Sequence, residues 1–293
     1  MGWDLRQLRY FQAVAEELHF GRAARRLHIA QPSLSQQIKA LERAVGATLL
    51  ERTPRGVRLT PAGAAALDAA RDLLARSDRN LRDIRDLAAG SPSMLTIGLP
   101  TGIGPDLLGR VRLAAAAVSV DLAFHDATSA EQADLLRRGE LDLGLVLEPA
   151  TDDSDLNLLR LVDEPLSVIT GKRHRLPDRL TADDLVGTRL LWFDRKEAPG
   201  YHDHVLDACA AAGWRPEIRV CDSRRLSAIV LLLTAEPDLV TLVPAAKAGH
   251  PELVLRPLRD APRHRVALAW RRADGRDAVR RLRDELTSGP VRA

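Results

Sequence analysis

The 293-residue sequence predicts a multidomain protein that joins an α+β unit to an α/β unit. Three observations predict this class. Apolar side chains recur at helical spacing in three short segments before residue 46, and two strand-like segments follow them. A single helical pattern runs over residues 61–89 without a break. Beyond residue 93, short apolar runs alternate with helical patterns, an order typical of a parallel sheet covered by helices.

The first two helical segments have the features of a scaffold. Asp4 can cap the first helix together with Gln7, three residues further on. The predicted buried face of this helix consists of Leu8, Phe11, Val14, Ala15 and Leu18. A second, shorter helix is predicted near residues 20–27, where Ala23 and Ala24 permit close packing against a neighbouring helix.

The third helical segment, residues 32–45, carries a polar and cationic face. Its predicted buried face consists of Leu34, Ile38, Leu41 and Val45, which fall in one sector at about 100° per residue. The opposite face consists of Pro32, Gln36, Lys39 and Arg43, flanked by Ser33 and Ser35. Gln and Ser can bond to base edges in the major groove, and Lys and Arg can contact guanine or phosphate. The alternative is an ordinary solvated helix, because these residue types are common on surfaces.

A short hairpin is predicted after this helix. Gly46 can end the helix, and residues 48–51 and 56–59 are strand candidates around the turn at residues 53–56. Arginine side chains accompany the hairpin at Arg52, Arg55 and Arg58. We therefore expect a β-hairpin wing beside the polar helix.

Residues 4–63 resemble the winged helix-turn-helix of LysR-type transcriptional regulators, through the phrases LRQLRYF, AQPSLSQQI, LLERT and LTPAG in order. The resemblance implies a bacterial transcription regulator whose partner is double-stranded DNA. It places six residues in the major groove, namely Gln31, Pro32, Ser33, Ser35, Gln36 and Lys39. It places Arg52 and Arg55 against the backbone or the adjacent minor groove, and Arg43 extends the same cationic face.

The charge distribution agrees with one nucleic-acid-binding module. The first 60 residues hold ten Lys and Arg against five Asp and Glu, a net charge of +5. The whole chain has a net charge of only +3, so the remainder carries −2. A basic excess confined to one module is the electrostatic signature expected of a protein that binds DNA through that module.

The composition is that of a soluble globular protein, with 45% hydrophobic and 28% charged residues. No stretch approaches the length of a membrane span and no apolar signal core follows the N-terminus, so we expect a cytoplasmic protein without a membrane partner. Cys209 and Cys221 are too few for a disulfide framework, and we expect buried or free thiols.

The long helix predicted at residues 61–89 begins after Thr60 and ends before Gly90 and Pro92. One side carries a mostly apolar line, made of Ala66, Ala70, Leu73, Ser77, Leu81, Ile84 and Ala88. The line suits either an interface with a second subunit or docking on the helix's own domain. In the family that the sequence resembles, this helix makes the dimer, which implies a homodimer or homotetramer on a dyad-symmetric operator.

The remaining sequence predicts a sheet with covering helices. The strand candidates are residues 94–99, 118–124, 141–147, 166–170, 189–193, 239–243 and 266–270. The helix candidates between them are residues 106–117, 130–138, 201–212 and 224–233. This order resembles the family's effector domain, which has two periplasmic-binding-protein-like lobes with a cleft between them.

The resemblance also implies domain boundaries. A DNA-binding domain occupies residues 1–60, a linker or dimerisation helix residues 61–92, and an effector-binding domain residues 93–293. Within the last, lobe I comprises about residues 93–163 and 265–293, and lobe II about residues 164–264.

Polar residues at predicted helix N-termini are candidate effector contacts. Free N–H groups and positive dipole ends there suit a carboxylate or another small polar ligand. Each residue alone is an ordinary helix cap, but the resemblance makes a set of them candidates, namely Thr101, Gly102, Thr128, Ser129, Tyr201, His202 and Ser223. Leu147 and Glu148 stand where family members that respond to aromatic acids often carry Arg, so the cleft is expected to be less cationic.

An enzyme or metalloprotein is the competing class. His202 and His204 lie two residues apart, so on a helix their rings diverge, unlike the spacing of a zinc-binding pair. The sequence has no G-x-S-x-G elbow, P-loop, G-x-G-x-x-G after a strand or paired-cysteine spacing, so we expect no cofactor and no catalysis. A further alternative is a DNA-binding regulator or architectural protein without a small-molecule response, for which a large α/β unit would be superfluous.

Overall fold

The computed structural model describes residues 2–53, 56–89, 93–150, 155–221, 223, 225–244 and 250–288. The chain divides into two compact units at residues 91 and 92. The N-terminal unit contains α1 (Leu5–Glu17), α2 (Phe20–Arg26), α3 (Gln31–Val45), β1 (Leu50–Thr53), β2 (Gly56–Leu59) and α4 (Pro61–Ala89). Its core gathers apolar side chains from α1, α2, α3 and the first half of α4, with Phe11, Leu34 and Leu41 fully buried.

The predicted caps of the N-terminal helices are confirmed. Asp4 and Gln7 form a reciprocal capping box at the start of α1, and Gly46 ends α3 with a φ of 75°. Two residues assigned to buried faces are exceptions, because both lie where a helix ends. Leu18 is the left-handed C-cap of α1, and Val45 is the last residue of α3. Their side chains are 46% and 37% exposed, so the prediction that they are buried is wrong.

The long helix α4 has the predicted bounds, but its apolar line divides into two parts. Ala70, in the first half, is fully buried in the core of the N-terminal unit. Leu81 and Ile84, in the second half, are 45% and 62% exposed. Near the start of the helix, a Cβ on Gly63 would lie 2.0 Å from the backbone oxygen of Leu49, so only glycine lets α4 approach the hairpin this closely.

The C-terminal unit is an α/β unit, as predicted, but its sheet is mixed rather than parallel, because β6 and β11 pair antiparallel with their neighbours. Its first half contains β3 (Ser93–Leu99), α5 (Pro105–Ala117), β4 (Val120–Asp126), α6 (Ser129–Arg138), β5 (Leu143–Leu147) and β6 (Leu156–Gly171). Its second half contains β7 (Arg189–Trp192), α7 (Pro199–Ala211), β8 (Glu217–Val220), α8 (Leu226–Ala235), β9 (Leu239–Pro244), β10 (Leu253–Pro257), β11 (Arg263–Arg271) and α9 (Asp277–Ser288).

Two long antiparallel strands, β6 and β11, join the two halves of this sheet. The strand order is β4-β3-β5-β11-β6-β9-β7-β8, and β10 also pairs with β6. We call β3 to β5 with α5, α6 and α9 lobe I, and β7 to β10 with α7 and α8 lobe II. The N-terminal part of β6 pairs with β11 alone, and its last residues pair with β9 and β10 of lobe II. The chain therefore passes between the lobes along β6 and β11.

The largest corrections to the strand predictions concern β6, β8 and β10. The candidate at residues 166–170 is only the end of β6, which begins ten residues earlier. The earlier part carries Asn157, Arg160 and Asp163, and this polar stretch hides the strand from a search for apolar runs. The strands β8 and β10 were absent from the prediction, and both contain mostly half-buried or exposed residues.

A buried charge cluster fastens the loop between β11 and α9 to lobe I. Nη2 of Arg276 lies 2.7 Å from Oδ2 of Asp274 and 2.8 Å from Oδ1 of Asp142. Nη2 of Arg271 lies 2.8 Å from the same Asp274 oxygen. The side chain of Asp274 is only 1% exposed. Burial alone would raise the pKa of Asp274, but the bonds from Arg276 and the charge of Arg271 outweigh it and lower the pKa.

We predict that Asp274→Asn lowers the free energy of unfolding by about 3 kcal/mol, because it leaves two buried guanidinium groups without their shared carboxylate. Urea unfolding at neutral pH measures the change. Since the folded pKa lies below the ordinary value of about 3.9, the carboxylate stabilises the fold above that value. This stabilisation is lost as the pH falls through the lower folded pKa.

The matched control for this prediction is Asp284→Asn on α9. The side chain of Asp284 is 61% exposed and pairs with the neighbouring Arg283. Ion pairs of this kind contribute little, so the control should unfold as the wild type does. Equal urea midpoints for Asp274→Asn and Asp284→Asn would show that the buried cluster is not a stabilising feature.

Candidate DNA-binding surface and ligand cavity

The outward face of α3 is formed as the sequence predicts. Leu34, Ile38 and Leu41 are buried beneath it. The exposed residues on the other side are Gln31, Pro32, Ser33, Gln36, Lys39 and Arg43, and Ser35 is half-buried at the margin. The structure thus brings seven predicted DNA contacts together on one helix.

Glu42 is the one acidic residue of α3, and its carboxylate is held away from the outward face. Its carboxylate accepts hydrogen bonds from the backbone N–H groups of Leu49 at 2.9 Å and Leu50 at 3.2 Å. These bonds fasten α3 to the first strand of the hairpin. They also satisfy the carboxylate locally, so that the exposed charges of α3 are those of Lys39 and Arg43. Sequence reasoning did not assign this role to Glu42.

The helix α2 is fixed by a cap that the sequence analysis also missed. Nδ1 of His19 accepts from the backbone N–H groups of Gly21 at 3.0 Å and Arg22 at 3.3 Å. Arg22 and Arg26 in turn pair with Glu17 and Glu16 of α1. Histidine is an uncommon N-cap, which is why spacing rules for Ser, Thr, Asp and Asn do not find it.

Only part of the wing lies among the residues that the structure describes. Arg58 on β2 pairs with Glu51 on β1 at 2.6 Å, which confirms the antiparallel hairpin register. Arg52 lies on β1, but its side chain is outside the part of the structure that is described. Arg55 lies outside the described residues altogether.

A cavity of about 1100 Å³ lies within the C-terminal unit. It is lined by residues of both lobes and by the crossing strands β6 and β11. Six predicted effector contacts line it, namely Thr101, Gly102, Thr128, Ser129, Tyr201 and Ser223. The volume is slightly above the usual range of about 300–1,000 Å³ for small-molecule sites. The structure therefore brings together residues that are up to 122 positions apart in the sequence.

His202 is the exception among the predicted contacts, because it does not line the cavity. Its ring packs edge-on against Phe193, with centroids 5.6 Å apart, and its Nδ1 lies 3.2 Å from Oδ1 of Asp203. Consecutive residues on a helix point about 100° apart. Since Tyr201 faces the cavity, the next side chain on α7 is turned away from it.

The hydroxyl groups of the lobe I wall are also structural caps. Oγ1 of Thr128 donates to the Glu131 carboxylate at 2.8 Å and accepts from the Glu131 backbone N–H at 3.2 Å. Oγ of Ser129 accepts from the backbone N–H of Leu147 at 3.1 Å. The Thr128 bonds cap α6, and the Ser129 bond holds the start of α6 against the end of β5. The cap and ligand interpretations of these residues are thus compatible.

A buried polar pair connects α7 of lobe II with β11. Oη of Tyr201 and Nδ1 of His264 form a 2.8 Å hydrogen bond, and both residues line the cavity. Burial, with a contribution from the Glu164 carboxylate, raises the pKa of Tyr201. The phenol is therefore un-ionised at neutral pH. Its ring also stacks beside Trp192 and Phe193.

The charge of the cavity agrees with the expectation of a weakly cationic cleft. Among the described lining residues there is no Lys or Arg, and Glu197 contributes a carboxylate. Leu147 occupies the position where family members that respond to aromatic acids often carry Arg, and it lines the cavity. Sequence analysis did not identify Trp192, Thr241 and His264 as lining residues, because they reach the cavity from strands with no polar motif.

Neither a membrane span nor a metal centre is found in the described structure. No helix there is long and apolar enough to cross a bilayer. The His, Cys, Asp and Glu side chains of the same residues form no group that could hold a metal ion. Cys209 and Cys221 are both free thiols.

A winged helix-turn-helix unit followed by a two-lobed unit with a ligand-sized cavity defines a DNA-binding regulator that carries its own ligand-binding domain. The comparisons with known proteins agree. Residues 5–64 match the family model for the bacterial regulatory helix-turn-helix protein, lysR family, and residues 88–289 match the LysR substrate binding domain. The chain belongs to the LysR family of bacterial transcriptional regulators.

Relatives and solved structures resemble the chain over most of its length. The HTH-type transcriptional regulator IlvR of Caulobacter vibrioides is 35% identical over 95% of this chain and 96% of its own. AlsR of Bacillus subtilis is 33% identical over 83% and 81%. The crystal structure of CbnR, a LysR family regulator, has a TM-score of 0.75 at 25% identity over 97% and 98%, and CbnR has also been solved with its target DNA. The chain is a DNA-binding transcription regulator and not an enzyme.

Proposed function

We propose that a small molecule entering the cavity controls how a pair of these chains binds a dyad-symmetric operator. The observation that carries the proposal is the cavity itself, to which loops and helices of both lobes contribute side chains. A ligand that touches Thr128 in lobe I and Ser223 in lobe II stabilises one separation of the lobes. The crossing strands β6 and β11 are the elements that such a movement would bend.

The DNA-binding surface in this proposal is the outward face of α3 with the wing. Gln31, Pro32, Ser33, Ser35, Gln36 and Lys39 contact the major groove, and Arg43, Arg52 and Arg55 contact the backbone or the adjacent minor groove. Exposure and charge on α3 support this assignment. The polar residues near the start of the helix suit base edges, and the cations suit phosphate.

The second half of α4 is the proposed subunit contact. Leu81 and Ile84 expose apolar surface on a helix whose first half already supplies the core of the N-terminal unit. Burying such surface against its own copy gives a two-fold contact, and two α3 helices then meet two half-sites. We propose a homodimer, or a homotetramer of two such dimers, that acts in the cytoplasm, where its DNA is.

The domain boundaries follow from this division of labour. Residues 1–60 bind DNA, residues 61–92 link and dimerise, and residues 93–293 bind the effector. Lobe I takes about residues 93–163 and 265–293, and lobe II takes about residues 164–264. The crossing strands support placing the inner boundaries within β6 and β11.

Reciprocal linkage tests the effector proposal. Metabolites that raise the melting temperature of the full chain are added to operator titrations, and operator is added to titrations of the same metabolites. Coupling between sites typically changes affinity by about 5- to 150-fold, and the factor must be equal in both directions. Thr128→Trp, which fills the polar wall, should abolish both effects while unliganded operator binding persists. Cavity ligands that leave both operator affinity and DNA bending unchanged would refute the proposal.

A further inference from the structure

The cavity has two chemically different ends. The lobe I end is polar, with Thr101, Thr128 and Ser129 at the loops before α5 and α6. The lobe II end is mostly apolar, with side chains from β6, β7, α8, β9 and β10, although Cys221, Ser223, Thr241 and His250 also line it. Tyr201 and His264 line the cavity as well and form a buried polar pair between α7 and β11.

The apolar end is a wall of aliphatic side chains. It includes Ile169, Leu191, Ile229, Val243, Leu253 and Leu255. Four of these, namely Ile229, Val243, Leu253 and Leu255, are only half-buried and pack against a buried apolar cluster that includes Ile169 and Leu191. Aliphatic surface left in contact with water is costly, and a hydrocarbon group that covers it is favoured by about 25 cal/mol per Å².

The helix α8 also presents aliphatic side chains to the cavity. Its sequence LSAIVLLLTA is apolar on nearly every side, yet Leu233 is its only buried residue. A helix that is hydrophobic all round is normally covered on all sides. Leu226 and Ile229 face the cavity, whereas Leu231 faces away from it and is exposed. A ligand in the cavity would cover the face of α8 that carries Leu226 and Ile229.

We propose that the cavity takes an amphiphile, with one hydrogen-bonding head at the lobe I end and a medium-length hydrocarbon tail at the lobe II end. This inference rests on the proposed effector function of the same cavity, and it names the class of ligand. The polar wall alone would accept a small organic acid. The aliphatic wall favours ligands with a hydrocarbon tail, because each buried methylene contributes favourable transfer free energy.

A homologous series tests the tail directly. The n-alkanols and the n-alkanoates from six to ten carbons are titrated into the full chain below their aggregation concentrations, with calorimetry and the emission of Trp192, which lines the cavity, as readouts. We expect the dissociation constant to fall about fourfold per methylene in at least one series. The series that shows the slope identifies the charge of the preferred head. Affinity independent of chain length in both series, or no binding in either, overturns the inference.

Two substitutions on α8 distinguish binding of the tail in the cavity from nonspecific binding. Ile229→Trp narrows the apolar end and should remove the gain from the longest tails while six-carbon ligands still bind. Leu231→Trp, two residues away and outside the lining, should keep the full slope. Loss of the slope in both variants, or in neither, contradicts the assignment of the tail to this end.

The operator titration then separates this inference from the proposed function. If decanol or decanoate binds with the expected slope but leaves operator affinity and bending unchanged, the ligand class stands and the effector role fails. If short polar ligands shift operator affinity while tail length has no effect, the effector role stands and the ligand class fails.

Discussion

A chain that carries both Leu81→Glu and Ile84→Glu is expected to have half the wild-type mass in solution at micromolar concentration and to bind its operator at least about 100-fold more weakly. The two side chains are exposed and apolar on the second half of α4. In a two-fold contact each substitution acts twice, and the four added carboxylates face one another across the axis. A chain without the α4 contact also loses the gain from holding two half-sites at once.

Sedimentation and fluorescence anisotropy measure these two effects separately. The matched control is Ala65→Glu with Ala69→Glu, which adds the same two acidic side chains at exposed positions of α4 away from the apolar line. The control should keep the wild-type mass. If the Leu81 and Ile84 variant sediments as the wild type does, α4 is not the subunit contact, and the exposed residues need another explanation.

The second large effect is expected at Gln36. Replacement by alanine should reduce the discrimination between operator and altered operators by about 5- to 150-fold, because a bidentate side-chain contact to a base contributes about 1–3 kcal/mol. Gln36 is exposed on α3 between the cationic residues and the helix start. Its loss should change the preferred sequence more than it changes the total affinity for DNA.

Arg52→Ala provides the contrasting variant. A lost phosphate contact should weaken binding to all sequences alike and reduce the slope of log affinity against log salt by about one. Competition titrations over a range of salt concentrations measure both quantities for both variants. Discrimination that is unchanged in Gln36→Ala would show that this residue does not read the base sequence.

The N-terminal unit could be predicted almost residue by residue, because its signals are local. Asp4 with Gln7, Pro32 at a helix start, Gly46 at a helix end and Thr60 before Pro61 each act within one turn of the chain. The errors at Leu18 and Val45 arise from the same cause. Helical periodicity assigns a side chain to a face but does not show that the helix has ended.

The C-terminal unit was predictable in class but not in detail. Apolar runs locate β3, β5 and β9, and nearly all residues of β5 and β9 are buried. The first ten residues of β6 and the whole of β8 and β10 have mixed polarity, and their pairing partners are distant in sequence. Strand formation there is decided by tertiary pairing rather than by local propensity.

The same limit applies to the cavity. Its polar wall could be predicted because caps such as Thr128 have a local signature. His264 and Ile229 could not, because they become neighbours of the site only when β11 and α8 pack beside it. The apolar end of the cavity could therefore not be predicted from the sequence and is seen only in the folded chain.

Selection of DNA by the full chain tests the central claim most directly. Duplexes are selected from a random library, sequenced, and compared with scrambled duplexes by anisotropy at physiological salt. We predict a motif of two inverted half-sites spaced by about one helical turn or a multiple of it, bound at least about 1,000-fold more tightly than scrambled DNA. Selected and scrambled duplexes that bind equally, with no enriched motif, would contradict the claim that this chain is a sequence-specific regulator that binds DNA through α3.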